Sequence, residues 1–186
     1  MTARLHGLLL LGLAACTDPP VTYSAPVGIS LQARSADSTN GIVTDLKAIA
    51  TEQGNPYGAF VSDAKELLAG RSPAAIVVEG AVVSLGADSN GVTRLGDVFA
   101  GTLSIVFLIN DSNNSYGVAA AEVEPTSGGT LRLEARFDSV ALTELDYLKL
   151  LAGQFKVIAR GPVAKGFADL DARGDLDVTL TFAAFE

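Results

Sequence analysis

The chain has 186 residues and a formal charge of −8, with one His, one Met, one Cys and no Trp. Removal of the first fifteen residues would take His6 and Met1 with it and leave 171 residues carrying 12 basic and 21 acidic side chains, headed by the sole cysteine. That composition excludes a Ser-His-Asp triad, a Cys nucleophile within the domain, His or Cys metal ligands and His- or Met-ligated haem, and its acidity works against binding nucleic acid or anionic lipid by charge.

The N-terminus has the layout of an export signal. A short basic start (Arg4) leads into the apolar run Leu8-Leu9-Leu10-Leu11-Gly12-Leu13, and small residues follow. The run is too short to span a bilayer, and no stretch of 18 apolar residues occurs elsewhere. Leu13-Ala14-Ala15-Cys16 resembles the bacterial lipoprotein lipobox at every position. The resemblance implies diacylglyceryl transfer to the Cys16 sulfur, cleavage after residue 15 and acylation, commonly with palmitate, of the new amino group. Two or three acyl chains hold a protein stably where one holds it marginally. Residue 17 is Thr, and Asp comes one place later, at 18. The resemblance therefore implies the outer rather than the inner membrane, where the host sorts by an Asp directly after the cysteine. The membrane, reached through lipid on Cys16, is the expected partner, and an envelope protein is a second candidate.

Thr17 to Pro26 holds three prolines and reads as an extended tether. The expected organisation is thus a signal at 1–15, lipidated Cys16 and tether at 16–26, and one domain at 27–186. Nearly half the residues are apolar and under a fifth are charged, so the domain is globular rather than disordered. A chain of this size buries about 70% of its unfolded surface.

Val27, Ile29, Leu31 and Ala33 alternate with Gly28, Ser30, Gln32 and Arg34, which predicts a half-buried strand. Segment 41–50 reads equally as a strand or a short helix. Asn55-Pro56-Tyr57-Gly58 reads as a turn. A helix is expected from Ser62, as its cap, to Ala69, stopped by Gly70. Strands follow near 75–86, 116–124 and 154–161, and a helical turn or two at 93–100. Leu103 to Ile109 is apolar on both faces, as in a central covered strand. Leu131, Leu133, Ala135 and Phe137 alternate with the charged Arg132, Glu134, Arg136 and Asp138, so that strand has a wet face. Thr143-Glu144-Leu145-Asp146 opens a capped helix that stops at Gly153. Leu176, Val178, Leu180 and Phe182 alternate in a final strand. Together these predict an all-β fold, an antiparallel β-sandwich of about seven or eight strands with two or three short helices. A weak echo at an offset of 52 residues matches Ala81, Val83 and Leu85 with Leu133, Ala135 and Phe137, and Leu103 and Ile105 with Phe155 and Val157. Chance resemblance between amphipathic segments and true duplication both account for it.

The densest acidic group is Asp169, Asp171, Asp175 and Asp177. Alternating carboxylates before a glycine turn can wrap calcium, with Asp88 or Asn110-Asp111 as helpers. Against the EF-hand pattern, however, Arg173 stands at a ligand position and Leu180 replaces the closing acid. A solvated turn leading into the last strand is the simpler reading, so no metal or cofactor is expected. Ser62-Asp63-Ala64-Lys65 has Ser-x-x-Lys spacing, but a capping serine satisfies an orphan N–H and need not be a nucleophile. Gly161 to Gly166 lacks the spacing of a phosphate-binding loop. The expected function is a non-catalytic, lipid-anchored envelope module that binds a partner or serves a structural role. The alternative is an envelope hydrolase using paired carboxylates or a Ser-Lys pair.

Overall fold

β1 (Thr22–Arg34) carries the first alternation, and Val27, Ile29, Leu31 and Ala33 are all buried. The computed structural model describes residues 22–186. Residues 22–26, read from their prolines as tether, belong instead to β1 and pair in register with β8 (Arg173–Phe185), from Thr22 opposite Phe185 to Pro26 opposite Thr181. Proline is admitted here because alternate N–H groups point to opposite edges of a strand. Pro26 has the parity of Ser30 and Gln32, whose N–H groups leave the β1–β8 ladder for side chains across a seam, so its missing donor breaks no ladder bond. The signal at 1–15, Cys16 and residues 17–21 lie outside the described residues.

Seven further strands and three short α-helices follow. They are β2 (Ile42–Ala48), α1 (Pro56–Leu67), β3 (Ala75–Leu85), α2 (Leu95–Val98), β4 (Gly101–Ile109), β5 (Ser115–Val123), β6 (Thr130–Ala135), α3 (Glu144–Leu151), β7 (Phe155–Pro162) and β8. Every pairing is antiparallel, in the order β1-β8-β3-β6-β5-β4-β7-β2. The fold is all-β, as the alternation predicts, and its two layers are halves of one continuous sheet. β6 joins them, pairing with β3 over Thr130–Leu133 and with β5 at Glu134 and Ala135. The segment 41–50, ambiguous in sequence, is strand β2 followed by a 3₁₀ turn at Ile49–Thr51.

The sheet curls until its edge strands β1 and β2 meet, giving a nearly closed barrel. The ring is completed by side chains. The Gln32 N–H donates to Asp45 Oδ2 at 2.7 Å, and the Ser30 N–H to Glu52 Oε1 at 3.0 Å. Lower down, α1 packs along β1, with Tyr23 stacked on Phe60 at 5.7 Å and its hydroxyl donating to Asp63. The interior is filled. Tyr57, Phe107, Phe155 and Phe182 are fully buried and meet at centroid distances of 4.7–6.0 Å, a spacing that adds aromatic attraction to area burial.

α1 is capped seven residues before the position the sequence suggested. Asn55, in a left-handed conformation, is the N-cap, its Oδ1 accepting from the Gly58 N–H at 3.1 Å, and Pro56 supplies the first helical residue. Ser62 is therefore an exposed mid-helix residue and not a cap, and Asn55 to Gly58 is a helix start and not a free turn. α3 keeps its predicted cap, with the Asp146 N–H donating to Thr143 Oγ1 at 3.2 Å.

The 52-residue echo has a spatial counterpart. Ala81 lies opposite Leu133 across β3 and β6, and Val106 opposite Ile158 across β4 and β7, so each of these ladders contains one facing pair 52 residues apart.

Candidate functional site: a carboxylate groove at the barrel seam

Arg173, Asp175 and Asp177 stand on the outer face of β8 because Gly174, Leu176 and Val178 fill the inner one. Ring closure sets them beside β1 and β2, with Gln32 opposite Asp175 and Ser30 opposite Asp177. A loop after β3 crosses above. The Gly86 N–H donates to the Asp175 carbonyl at 2.7 Å, Asn90 and Arg173 exchange main-chain bonds, and the Asp175 N–H donates to Ser89 Oγ at 3.0 Å. Gly86 suits this close approach, since a Cβ there would stand 3.2 Å from Asp177 Oδ2 and 3.3 Å from Asp175 Cβ, tight contacts that the neighbours would have to relax by a few tenths of an ångström.

The result is an open groove of about 470 Å³, lined by Gln32, Asp45, Lys47, Asp88, Asp175 and Asp177 among others. Four carboxylates face two cations there, and the cations are committed. Lys47 pairs with Glu52 at 2.7 Å, and Arg173 Nη2 donates to Asp175 Oδ2 at 3.0 Å and to the Asp88 carbonyl at 2.8 Å. Asp175 Oδ1 accepts from Gln32 Nε2 at 2.8 Å, so both oxygens of Asp175 are engaged. The exposed carboxylates of Asp88 and Asp177 accept no hydrogen bond from another described residue. They are the groups free to accept from a cationic or hydroxyl-rich partner, and the screening expected at such exposure makes them points of recognition more than of strong attraction.

The structure divides the four acids of the sequence motif. Asp175 and Asp177 line the groove, with Asp88 across from them, while Asp171 borders a separate cleft beside Arg34 and Asn90, and Asp169 ends a 3₁₀ turn at Phe167–Asp169. Asn110 and Asp111 lie beyond the end of β4, in a cleft with Gln154 and Lys156. Among the described residues no group of three or more His, Cys, Asp or Glu side chains is placed to hold a metal ion. Asp45 and Glu52, which complete the seam, were invisible to sequence reasoning because only the ring closure brings them to β1. A more apolar cleft of about 680 Å³ lies between α2 and the Phe167–Asp169 turn.

A second constellation is structural. Asp146 is buried, and its Oδ2 accepts from Asn114 Nδ2 and Tyr116 Oη, both at 2.7 Å. These bonds hold its carboxyl below the usual carboxylate range and push the Tyr116 hydroxyl up. Lys149 Nζ donates to the Asn110 carbonyl at 2.6 Å, so α3 clamps the β4–β5 hairpin at two points. The sequence assigned Asp146 only to the helix start. Its inward turn had no sequence signal beyond the polar run at 110–115. Ser62 and Lys65 sit on α1, remote in sequence and element from the groove.

No family model matches the chain, and no curated protein is significantly similar to it.

Proposed function

We propose that this protein is a lipid-anchored, non-catalytic component of the cell envelope, tied to the membrane through acylated Cys16 and acting as a binding or structural module. The outer membrane is the favoured location, because Thr17 stands where an inner-membrane retention residue would. The observation that carries the reading is the relation between anchor and groove. The lipobox cysteine is six residues from Thr22, which opens β1 at one end of the barrel. Gln32, at the groove, is ten residues further along the same strand, about 33 Å away at the usual strand rise. A partner in the groove would therefore be met on the side away from the bilayer.

Two features support surface binding over internal carriage or carboxylate catalysis. The barrel interior is packed with aromatic and aliphatic side chains. Both oxygens of Asp175 and one of Asp45 are occupied as structural acceptors. The test is metabolic labelling of the full chain in a bacterial host with a clickable palmitate analogue. The wild type should carry label and partition with membranes after a high-salt wash, and Cys16→Ser should carry none. A wild-type chain that is exported, unlabelled and soluble would overturn the reading.

A further inference from the structure

Seven large apolar side chains are markedly exposed among the described residues, and four of them crowd one end of the barrel: Leu67 at 56%, Val140 at 77%, Leu145 at 61% and Leu148 at 56%. Hydrogen bonds fix their common location. β1 and β3 both start opposite Phe185, which places the start of the described chain at this end. Leu67 closes α1, whose C-terminal loop returns to the same point, where the Ala74 N–H donates to the Phe185 carbonyl and Arg71 pairs with Glu186. Tyr147 Oη on α3 donates to the Pro73 carbonyl at 2.6 Å, bringing Leu145 and Leu148 alongside that loop. Val140 rides on a 3₁₀ turn at Ser139–Ala141 that is pinned to β3 where Ser139 Oγ accepts from the Ile76 N–H at 2.8 Å.

α3 is arranged against ordinary amphipathicity. It buries Asp146 and Leu150 and presents Leu145 and Leu148, one turn apart, to the outside. Scattered single leucines on a surface need no explanation, but an eight-residue helix that turns Asp146 inward and two of its four leucines outward, beside two further apolar side chains, does.

We propose that this end of the barrel docks on the bilayer that holds Cys16, with Leu67, Val140, Leu145 and Leu148 entering the headgroup boundary. The inference rests on the anchored reading above. The length of chain outside the structure selects the occupant. Six residues from Cys16 to Thr22 reach at most about 20 Å when fully extended, so an acylated Cys16 holds this end of the barrel close to the lipid. Interfacial side chains sit about 5–10 Å into the headgroup region, a depth that leucines on a single helix face can reach. The docking would also fix orientation, holding the seam groove outward where the anchor alone would let the barrel tumble.

The experiment uses the full, lipidated chain. Its Cys16 sulfur is consumed in a thioether, so a cysteine introduced by Leu148→Cys is the sole free thiol and takes an environment-sensitive fluorophore. The comparison protein carries Thr126→Cys, an exposed position in the loop between β5 and β6 at the opposite end. Both are reconstituted in phosphatidylcholine vesicles with and without doxyl-labelled lipid. The label at 148 should be blue-shifted and quenched several-fold more than the label at 126, and Leu67→Ser with Leu145→Ser should reduce that quenching. Equal quenching at the two positions on an acylated chain overturns the docking alone. A blue shift at 148 without lipid quenching shows a protein on the patch, a second copy included, and overturns it as well. Absence of acyl mass on Cys16 overturns the anchored reading and the docking with it.

Discussion

The main-chain N–H of Gln32 on β1 donates to Asp45 Oδ2 on β2 at 2.7 Å, so the barrel closes through a carboxylate where a backbone ladder would otherwise run. An edge strand is a row of unpaired donors and a template for unwanted pairing, and a charged side chain aimed across the gap blunts it. The same closure creates the groove, since Asp45 and Asp175 share one site only because β1 lies between their strands.

Asp45→Ala should destabilise the domain by about 1–2 kcal/mol, because it strands a part-buried N–H. Asp45→Asn keeps an acceptor oxygen and should lose less than half as much. Asp88→Ala, which removes an exposed carboxylate of the same groove, should be silent. Denaturant midpoints would rank the three, and amide exchange at Gln32 should accelerate in Asp45→Ala alone.

Asp97 confers an acid-limb signature. Its carboxylate accepts from the Thr93 N–H at 3.0 Å and the Arg94 N–H at 2.9 Å and pairs with Arg94 Nη2 at 2.8 Å, and these bonds, the Thr93 N–H foremost, lower its pKa to about 2 against an unfolded value of about 3.9. The folded value is depressed, so the stabilisation is complete above about pH 4 and disappears as the pH falls toward 2. Asp97→Asn should lower the Tm at pH 7, and the gap from wild type should close at pH 2. A gap that is constant with pH would show that the charge of Asp97 does not matter to the fold.

Leu133 and Glu134 are neighbours on β6 with opposite fates. Leu133 is 3% exposed, opposite Ala81 in the interior, whereas Glu134 pairs with Arg136 at 2.6 Å in open solvent. Leu133→Asp buries an unpaired charge, a cost of several kcal/mol that rivals a domain's whole stability, and should abolish folding. Glu134→Ala removes a solvated pair and should change stability by less than about 0.5 kcal/mol. Circular dichroism melts of the two variants compare them directly.

These contrasts mark what the sequence could convey. The strands were legible because period-two alternation at 27–33, 131–137 and 176–182 maps one face to the interior whatever the neighbours are. The start of α1 was not, because Asn55-Pro56 serves a turn and a capped helix equally well, and the deciding hydrogen bond to Gly58 is a product of the fold. Nor was the edge between tether and strand, since Pro26 reads as a strand breaker unless its missing N–H is known to face the seam. The groove depends on residues 45, 88 and 175 meeting through pairings far apart in sequence, and its acidic contributors looked like ordinary solubilising surface. Asp146 satisfied one pattern, the helix start, and so concealed its second role. Cys16 was read from its local motif alone and lies outside the described residues.

Gly96 sets two effects against each other. It lies in α2, where Gly→Ala ordinarily favours the helix by up to about 1 kcal/mol. A Cβ at this position, however, would come within 2.6 Å of both the Glu124 and the Pro125 carbonyl oxygens, distances that real side chains do not adopt. Those oxygens cannot retreat easily. Their loop is tied by the Ser127 N–H to the Glu124 carbonyl at 2.8 Å and by the Glu124 N–H to Ser127 Oγ at 2.9 Å, and the Gly96 N–H itself donates to the Ser127 carbonyl at 3.3 Å. Forcing extra volume against fixed backbone costs about 1–3 kcal/mol, and a four-residue helix gains little from a better helix former. The clash should win, and Gly96→Ala should lower the Tm by several degrees, at about 2–4 °C per kcal/mol for a domain of this size. Gly128→Ala, on the same loop with nothing within 4 Å of the added carbon, is the control and should leave the Tm unchanged. If Gly96→Ala raised the Tm, helix propensity would outweigh the clash, and the loop at 124–129 would be free to move away from α2.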